Sequence, residues 1–168
     1  FFGGGTDYRE YFERHGGAVL GSTIDKYVYV IVKERFDDKI YINYSSKEIV
    51  DSVDRIKHEL VRETMRKTGV EKGIEITTLA DVPSEGSGLG SSSSVTVGLL
   101  NALYAYQGGQ TELGRLASEA CEIEIDVLGK PIGIQDQYIA AFGGLRFFQF
   151  GKDGSVTGEK LHVIDEQK

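Results

Sequence analysis

A short run of glycine and serine constrains this chain more than any other feature of its sequence. Residues 83–94 read PSEGSGLGSSSS and lie between a predicted strand at residues 75–79 and a predicted apolar helix at residues 95–106. Alternating glycines let the backbone turn its amides inward, and a helix start adds unpaired N–H groups and the positive end of a dipole. The segment is therefore predicted to bind an anion such as a polyphosphate, although a flexible linker has the same composition.

The composition is that of a globular domain with an excess of glycine. The 168 residues include 22 glycines and 2 prolines, whereas a disordered or collagen-like chain would be rich in both. We therefore expect the glycines to serve particular backbone positions. Hydrophobic residues make up 40% of the chain and charged residues 27%, which is enough apolar material for a real core.

Charge and cysteine content narrow the expected partners and compartment. The formal net charge of −7 argues against nucleic acid or an anionic membrane surface as a partner. No apolar stretch approaches the roughly 18 residues of a membrane span. Cys121 is the single cysteine, so no internal disulfide can form, which fits a cytoplasmic location. The chain begins at Phe1 without an initiator methionine, and we expect it to be a fragment.

Hydrophobic periodicity predicts a mixture of strands and helices in one α+β domain. Strands at residues 27–32 and 40–44, joined by a turn at residues 36–39, are expected to form a hairpin. The other predicted strands lie at residues 18–20, 75–79 and 145–150, and short or apolar helices lie at residues 95–106 and 136–142.

Two further helices are predicted from their caps. Ser45 and Glu48 match a capping box, which would start an amphipathic helix that runs to Gly69. Thr111 is expected to cap a helix that continues to about Val127.

Glu124 is a carboxylate in an unexpected place on the helix predicted at residues 111–127. At 100° per residue it falls near the middle of the apolar stripe, whereas its acidic neighbours fall on the opposite, solvated face: Glu119, Glu122 and Asp126. A carboxylate that faces inward is costly unless it is paired or binds a metal. Glu124 is therefore a candidate Mg²⁺ ligand, with a frayed helix end as the alternative.

Two aspartates follow glycine-containing turns. Asp136 lies at the start of a predicted short helix, where it could be an N-cap or a base for a substrate hydroxyl. Asp7 follows three consecutive glycines, which would let a small ligand approach the backbone closely. Asp7 could therefore be a turn residue or a ligand for hydroxyl groups.

Taken in order along the chain, these segments resemble the GHMP kinases, the superfamily of galactokinase, homoserine kinase and mevalonate kinase. Residues 83–93 resemble its phosphate loop. The branch of D-glycero-D-manno-heptose 7-phosphate kinases is the most similar, through residues 2–8, 16–19, 24–25, 133–138 and 143–144. The resemblance implies a two-layer α+β domain with a mixed or antiparallel sheet and packed helices, with residues 1–168 as an N-terminal ATP-binding domain whose C-terminal partner domain is absent.

The resemblance also implies a role for each motif. Mg²⁺ would be held by Ser92 and Glu124, with Ser91 as the alternative serine, and Asp136 would take up or orient the proton of the attacking hydroxyl. The sugar would be bound by Gly4, Gly5, Thr6, Asp7 and Asp136. The phosphates of ATP would be bound by Pro83, Gly86, Ser87, Gly88, Leu89, Gly90, Ser91, Ser92 and Ser93.

The implied reaction moves the γ-phosphoryl group of ATP to a hydroxyl of a sugar phosphate, in the heptose branch to C1 of the 7-phosphate. Gly4 and Gly5 stand where galactokinase has Glu-His, so galactose is not the expected sugar. Two alternatives stay open: another kinase of the superfamily, acting on a different sugar or an isoprenoid precursor, and a non-catalytic relative that binds nucleotide or sugar. The basic residues that flank the N-terminal motif are candidates for the sugar phosphate: Arg9, Arg14 and Lys26.

Overall fold

Two sheets and five α-helices make up the described part of the chain, residues 2–82 and 88–162 of the computed structural model. The helices are α1 (Arg9–His15), α2 (Glu59–Thr68), α3 (Ser91–Tyr106), α4 (Leu113–Cys121) and α5 (Gln135–Phe142). The strands are β1 (Gly17–Ser22), β2 (Val28–Glu34), β3 (Ile40–Asn43), β4 (Lys47–Val50), β5 (Ile74–Ala80), β6 (Leu145–Phe150) and β7 (Val156–Lys160). A 3₁₀ helix covers Val53–Arg55, and a π-helix at Glu122–Val127 continues α4.

The two sheets differ in how their strands pair. One is antiparallel with the order β1-β6-β7, and the other has the order β2-β5-β3-β4. In the second sheet β3 runs parallel to β5, while the other pairs are antiparallel. The expected α+β class with mixed and antiparallel pairing is confirmed. The expected hairpin between residues 27–32 and 40–44 is wrong, because β5 lies between β2 and β3 and pairs with both.

β4 occupies the place where the capping box predicted the first turn of a helix. It pairs antiparallel with β3 as the edge strand of the mixed sheet, and this pairing overrides the helical spacing of the apolar residues. The helix begins only at Glu59, and it ends before Gly69 as predicted. Glu48 still serves that helix, because its carboxylate accepts hydrogen bonds from the backbone N–H groups of Lys57 and His58, at 2.7 and 3.0 Å.

The core is organised around α3, which is apolar on several sides. Gly98 lets it approach β2 closely, since a Cβ at this position would lie 3.0 Å from Val30 Cγ2. One side of α3 packs on the mixed sheet and on α2, through Ile40, Ile42, Leu60, Val61, Met65, Ile74, Ile76, Leu99 and Leu103. Another side packs on α4 and the π-helix, through Val97, Leu100, Leu116, Ala120 and Ile123.

Other elements also differ from the sequence prediction. The helix predicted at residues 111–127 is α4 followed by the π-helix, and its N-cap is Glu112 rather than Thr111. The short helix α1 and the strand β7 were not predicted. Among the described residues, no helix is both long and apolar enough to cross a membrane.

Candidate active site

The start of α3 forms one wall of the site. Gly90 is its N-cap with φ of 68°, a left-handed conformation that favours glycine, and Gly88 has φ of 64°. Ser94 closes the first turn, since its backbone N–H and its hydroxyl both donate to the carbonyl of Gly90 at 3.0 Å. The first turn contains no acidic residue, so the positive end of the helix dipole is available to an anion.

A cavity of about 380 Å³ lies against this helix start. Four of the predicted phosphate-binding residues line it: Gly88, Leu89, Gly90 and Ser91. Lys26, Tyr27 and Asp136 contribute to its other walls. Of the other five predicted loop residues, Pro83, Gly86 and Ser87 lie outside the described residues, and Ser92 and Ser93 are hydrogen-bonded to Glu124.

Glu124 is fully buried, as the apolar stripe predicted. Its Oε1 accepts a hydrogen bond from Ser92 Oγ at 2.6 Å, and its Oε2 accepts one from Ser93 Oγ at 2.8 Å. Gln137 Nε2 of α5 donates to the same Oε2 at 2.6 Å. These three donors let the carboxylate remain buried, and they bring Ser92, the serine named for the metal, beside it.

The other acidic residues of this helix do not all face solvent. Glu119 was expected on the solvated face, but it is 8% exposed. Its carboxylate accepts hydrogen bonds from Tyr104 Oη at 2.7 Å and Arg115 Nε at 2.9 Å, so the burial is compensated. Glu122 and Asp126 remain on the exposed side, where they form ion pairs.

Lys130 is a residue of the site that the sequence reasoning did not find. Its Nζ lies 3.1 Å from Ser92 Oγ, 3.8 Å from Glu124 Oε1 and 3.3 Å from Glu59 Oε1. Its backbone N–H donates to the carbonyl of Glu124 at 3.0 Å, which fixes the start of the side chain close to that residue. The only sequence signal was a basic residue in the Gly-Lys-Pro turn after the helix, which does not show the direction of the side chain.

Asp136 lies in the first turn of α5 and faces the start of α3. Ile134 is the N-cap of this helix, so Asp136 is not the cap that its position allowed. A Cβ on Gly90 would lie 3.2 Å from the Cγ of Asp136, which shows how closely the carboxylate approaches the helix start. Burial raises the pKa of Asp136, and the negative charges of Asp7 and Glu124 raise it further.

Asp7 is 1% exposed and is bound by backbone groups. Its Oδ1 accepts from Gly5 N at 3.0 Å, and its Oδ2 accepts from Gln135 N at 3.2 Å. The backbone carbonyl of Asp7 accepts from Ile134 N at 3.2 Å. Asp7 therefore ties the N-terminal glycine turn to the beginning of α5, and its role as a sugar ligand stays a prediction.

The other predicted sugar-binding residues lie in the same turn. The hydroxyl of Thr6 donates to the carbonyls of Gly3 and Ala18, so it holds the turn on β1. No atom lies within 4 Å of a Cβ built on Gly4 or Gly5, which leaves space beside both. Of the basic candidates, Arg9 is not directed to the cavity, because it forms an ion pair with Asp126.

The oxygen atoms around Glu124 suit a Mg²⁺ ion that is bound in part by a nucleotide. Ser92 and Glu124 supply two hard oxygen donors, and Mg²⁺ is commonly held by one or two carboxylates together with substrate phosphates. In the described ranges, no cluster of three or more His, Cys, Asp or Glu side chains could hold a metal by itself. The donor set therefore fits a shared site and not a complete protein cage.

Comparison with known proteins identifies the family of this chain. Residues 52–144 match the family model of the GHMP kinases N terminal domain. The chain belongs to the GHMP kinase family.

Individual relatives narrow the resemblance. The chain is 35% identical to a D-glycero-alpha-D-manno-heptose 7-phosphate kinase from Campylobacter jejuni, over 96% of this chain and 51% of the relative. It is 34% identical to a mevalonate kinase from Archaeoglobus fulgidus, over 70% of this chain and 41% of that protein. The crystal structure of a D-glycero-D-manno-heptose 1-phosphate kinase from Bacteroides thetaiotaomicron superposes with a TM-score of 0.89 at 31% identity, covering 96% of this chain and 56% of that one. The chain thus spans about half the length of each of these two heptose phosphate kinases.

Proposed function

We propose that this chain is the nucleotide-binding part of an ATP-dependent kinase that phosphorylates a hydroxyl group of a sugar phosphate. One observation carries the proposal: the Asp136 carboxylate lies against Gly90 at the start of α3, while Ser92, two residues further on, is bound to Glu124. The residue proposed to accept the proton and the two oxygens proposed to bind the metal therefore lie near one helix N-terminus, which is suited to bind a polyphosphate.

Each part has a chemical task in phosphoryl transfer. The backbone at the start of α3, together with the glycine-serine loop, would hold the phosphates of ATP. Ser92 and Glu124 would hold Mg²⁺, which neutralises phosphate charge when it is bound. Asp136 would accept or orient the proton of the attacking hydroxyl, and its raised pKa makes it a better proton acceptor than an ordinary aspartate.

The proposed acceptor is D-glycero-D-manno-heptose 7-phosphate, phosphorylated at C1. The relatives that cover 96% of this chain are named heptose phosphate kinases, which supports this choice. A second acceptor class is mevalonate or a similar alcohol, because several archaeal mevalonate kinases match 70–76% of the chain. The space beside Gly4 and Gly5 is compatible with a bulky polyol but does not choose between the two.

A substrate panel followed by ³¹P NMR tests the proposal. The protein carrying this chain is incubated with ATP, Mg²⁺ and, in separate reactions, the heptose 7-phosphate, mevalonate and galactose. We expect a new glycosyl phosphate resonance with the heptose only. Product from mevalonate alone would replace the heptose by the second acceptor, and no product from any alcohol would overturn the kinase assignment.

Two aspartate variants locate the chemistry. Asp136→Asn should reduce the turnover rate by about a hundredfold or more, the ordinary range for a lost general base. Asp126→Asn is the matched control, because Asp126 is exposed and pairs with Arg9. Equal rates for the two variants would remove Asp136 from the proposed mechanism.

A further inference from the structure

The ammonium group of Lys130 lies among three oxygen atoms. Two of them, Ser92 Oγ and Glu124 Oε1, are the atoms proposed to hold the divalent cation. The third is Glu59 Oε1, at 3.3 Å, on a side chain that is 52% exposed at the start of α2. Lys130 itself is 24% exposed, so its charge is only partly screened by solvent.

The positive charge of Lys130 therefore competes directly with a metal ion. Ser92 donates its proton to Glu124 and accepts a hydrogen bond from Lys130, so the oxygen that a metal needs already faces a cation. A divalent ion bound by the same two oxygens would lie within a few ångströms of the ammonium group, and like charges at that distance repel strongly in a partly buried site.

Glu59 offers the ammonium group another partner. A lysine has a long flexible stem and a compact charge, so it can exchange one carboxylate for another with little backbone movement. Glu59 already lies within ion-pair distance and is on the solvent side of the site. Moving towards Glu59 would free the oxygens of Ser92 and Glu124 without leaving Lys130 unpaired.

We propose that Lys130 is a built-in competitor for the divalent cation, which gives up Ser92 and Glu124 to the metal and moves to Glu59. The inference rests on the proposed function, which assigns the metal to these two oxygens. Metal alone must displace Lys130 with only two protein ligands, whereas metal with a nucleotide gains phosphate ligands as well. Lys130 thereby lowers the affinity of the site for a divalent ion, so that metal held only by Ser92 and Glu124 binds weakly while metal that also has phosphate ligands still binds.

Binding of Mn²⁺, followed by the EPR signal of the free ion, tests this role without relying on activity. The probe is Mn²⁺ alone, and then Mn²⁺ with a non-hydrolysable ATP analogue. Lys130→Met should bind Mn²⁺ alone about tenfold more tightly than the wild type. Its affinity for Mn²⁺ in the presence of the analogue should rise by a similar factor, because the same contacts of Lys130 are displaced in both cases. Lys130→Gln should behave in the same way and serves if the Met variant fails to fold.

Lys67→Met is the matched control. Lys67, on α2, pairs at 2.6 Å with Glu122, which lies on the same π-helix as Glu124, and its side chain is 29% exposed. Lys67→Met therefore changes the net charge by the same amount as Lys130→Met without removing a group that contacts Ser92 or Glu124. We expect its Mn²⁺ affinity to stay within about twofold of the wild type, because the ammonium group of Lys67 pairs with Glu122 and not with Ser92 or Glu124, and a partly exposed charge is screened by solvent. An equal gain in both variants would mean that only the overall charge matters, which would overturn the proposal.

Glu59→Gln distinguishes two roles of Glu59: accepting Lys130 when the metal binds, and attracting the metal by its own negative charge. Without its second carboxylate partner, Lys130 should hold Ser92 and Glu124 more persistently, so Glu59→Gln should weaken Mn²⁺ binding in the wild-type background. The same substitution should have little effect when Lys130 is already Met. Equal weakening in both backgrounds would show that Glu59 acts on the metal directly, and the proposed exchange would be wrong.

The remaining outcomes distinguish this inference from the proposed function. Failure of the wild type to bind Mn²⁺ even with the analogue would overturn the metal assignment, and this inference with it. Normal wild-type binding with unchanged or weaker Mn²⁺ affinity in Lys130→Met would overturn only the role of Lys130. Loss of metal-free analogue binding in that variant would make Lys130 a phosphate ligand and would also overturn the proposal.

Discussion

Gly133 lies just before α5 and packs against the carboxylate of Asp7. Gly133→Ala tests whether this contact holds the start of α5, which carries Asp136. A Cβ on Gly133 would overlap the Asp7 carboxylate. The φ of Gly133 is not in the left-handed region, so the expected cost is steric. Ordinary contact between heavy atoms requires about 3.5 Å, and the carboxylate must move by more than about 1 Å to restore it.

The hydrogen bonds of Asp7 give the magnitude. Such a movement would break the bonds from Gly5 N (3.0 Å) and Gln135 N (3.2 Å) while the carboxylate stays buried. Hydrogen bonds to charged groups contribute about 1.5–3 kcal/mol each, so the free energy of unfolding should fall by about 3–6 kcal/mol. For a chain of this size, that corresponds to a melting temperature lower by about 6–24 °C.

Urea unfolding followed by far-UV circular dichroism measures this loss, because the chain contains no tryptophan for fluorescence. Gly114→Ala in α4 is the matched control: no atom lies within 4 Å of the added methyl group, and the helix propensity should add up to about 1 kcal/mol. In an Asp7→Ala background, Gly133→Ala should cost almost nothing, since the clash is gone. An equal cost in both backgrounds, or a cost below about 1 kcal/mol in the wild type, would refute the reasoning.

Three other changes have definite expected outcomes. Burial and neighbouring carboxylates raise the pKa of Asp136, so the folded chain binds this proton more tightly than the unfolded chain. Asp136→Asn should therefore raise the melting temperature near neutral pH and lose that advantage below about pH 4. A lower melting temperature near neutral pH would contradict this. Although burial acts against it, hydrogen bonds from two backbone amides before α2 lower the pKa of Glu48. Glu48→Gln should therefore lower the free energy of unfolding by about 1–3 kcal/mol near neutral pH. Urea titrations should show this loss fading as the pH falls through the lowered pKa of Glu48. A loss that does not depend on pH would mean that the charge of Glu48 is irrelevant. Cys121 is 6% exposed, and burial together with the charge of Glu124 raises the pKa of its thiol. A thiol reagent should therefore label it only in denaturant. Rapid labelling of the native chain would contradict this and would show that the reagent reaches the thiol in the folded state.

The features of the site that could be predicted are local. Helical periodicity predicted that Glu124 faces inward, and this prediction is confirmed. It holds although the segment is a π-helix, because that segment directly continues α4, which sets the direction of its side chains. A helix directly after the glycine-serine run was also predicted, but α3 begins at Ser91, four residues before the predicted start at residue 95, because the four serines form its first turn after Gly90. In both cases the relevant residues are close neighbours in sequence, so propensity and spacing carry the information.

The errors in the fold have a common cause. The expected hairpin of residues 27–32 and 40–44 ignored β5, which inserts between them from more than 30 residues further along the chain. The apolar spacing after Ser45 suited a helix, but pairing with β3 made it an edge strand. Strand pairing depends on partners that are distant in sequence, and local periodicity does not record which partner a strand will find.

The sequence by itself determined the α+β class, the glycine-rich helix start and a carboxylate that must face inward. Only the tertiary structure decided which groups meet there: Lys130 beside Ser92, Asp7 beneath Gln135, and Asp136 against Gly90. These contacts join segments that are 38 and 128 residues apart in the first two cases. They depend on how the helices and the N-terminal turn pack together, and that packing is a property of the whole core.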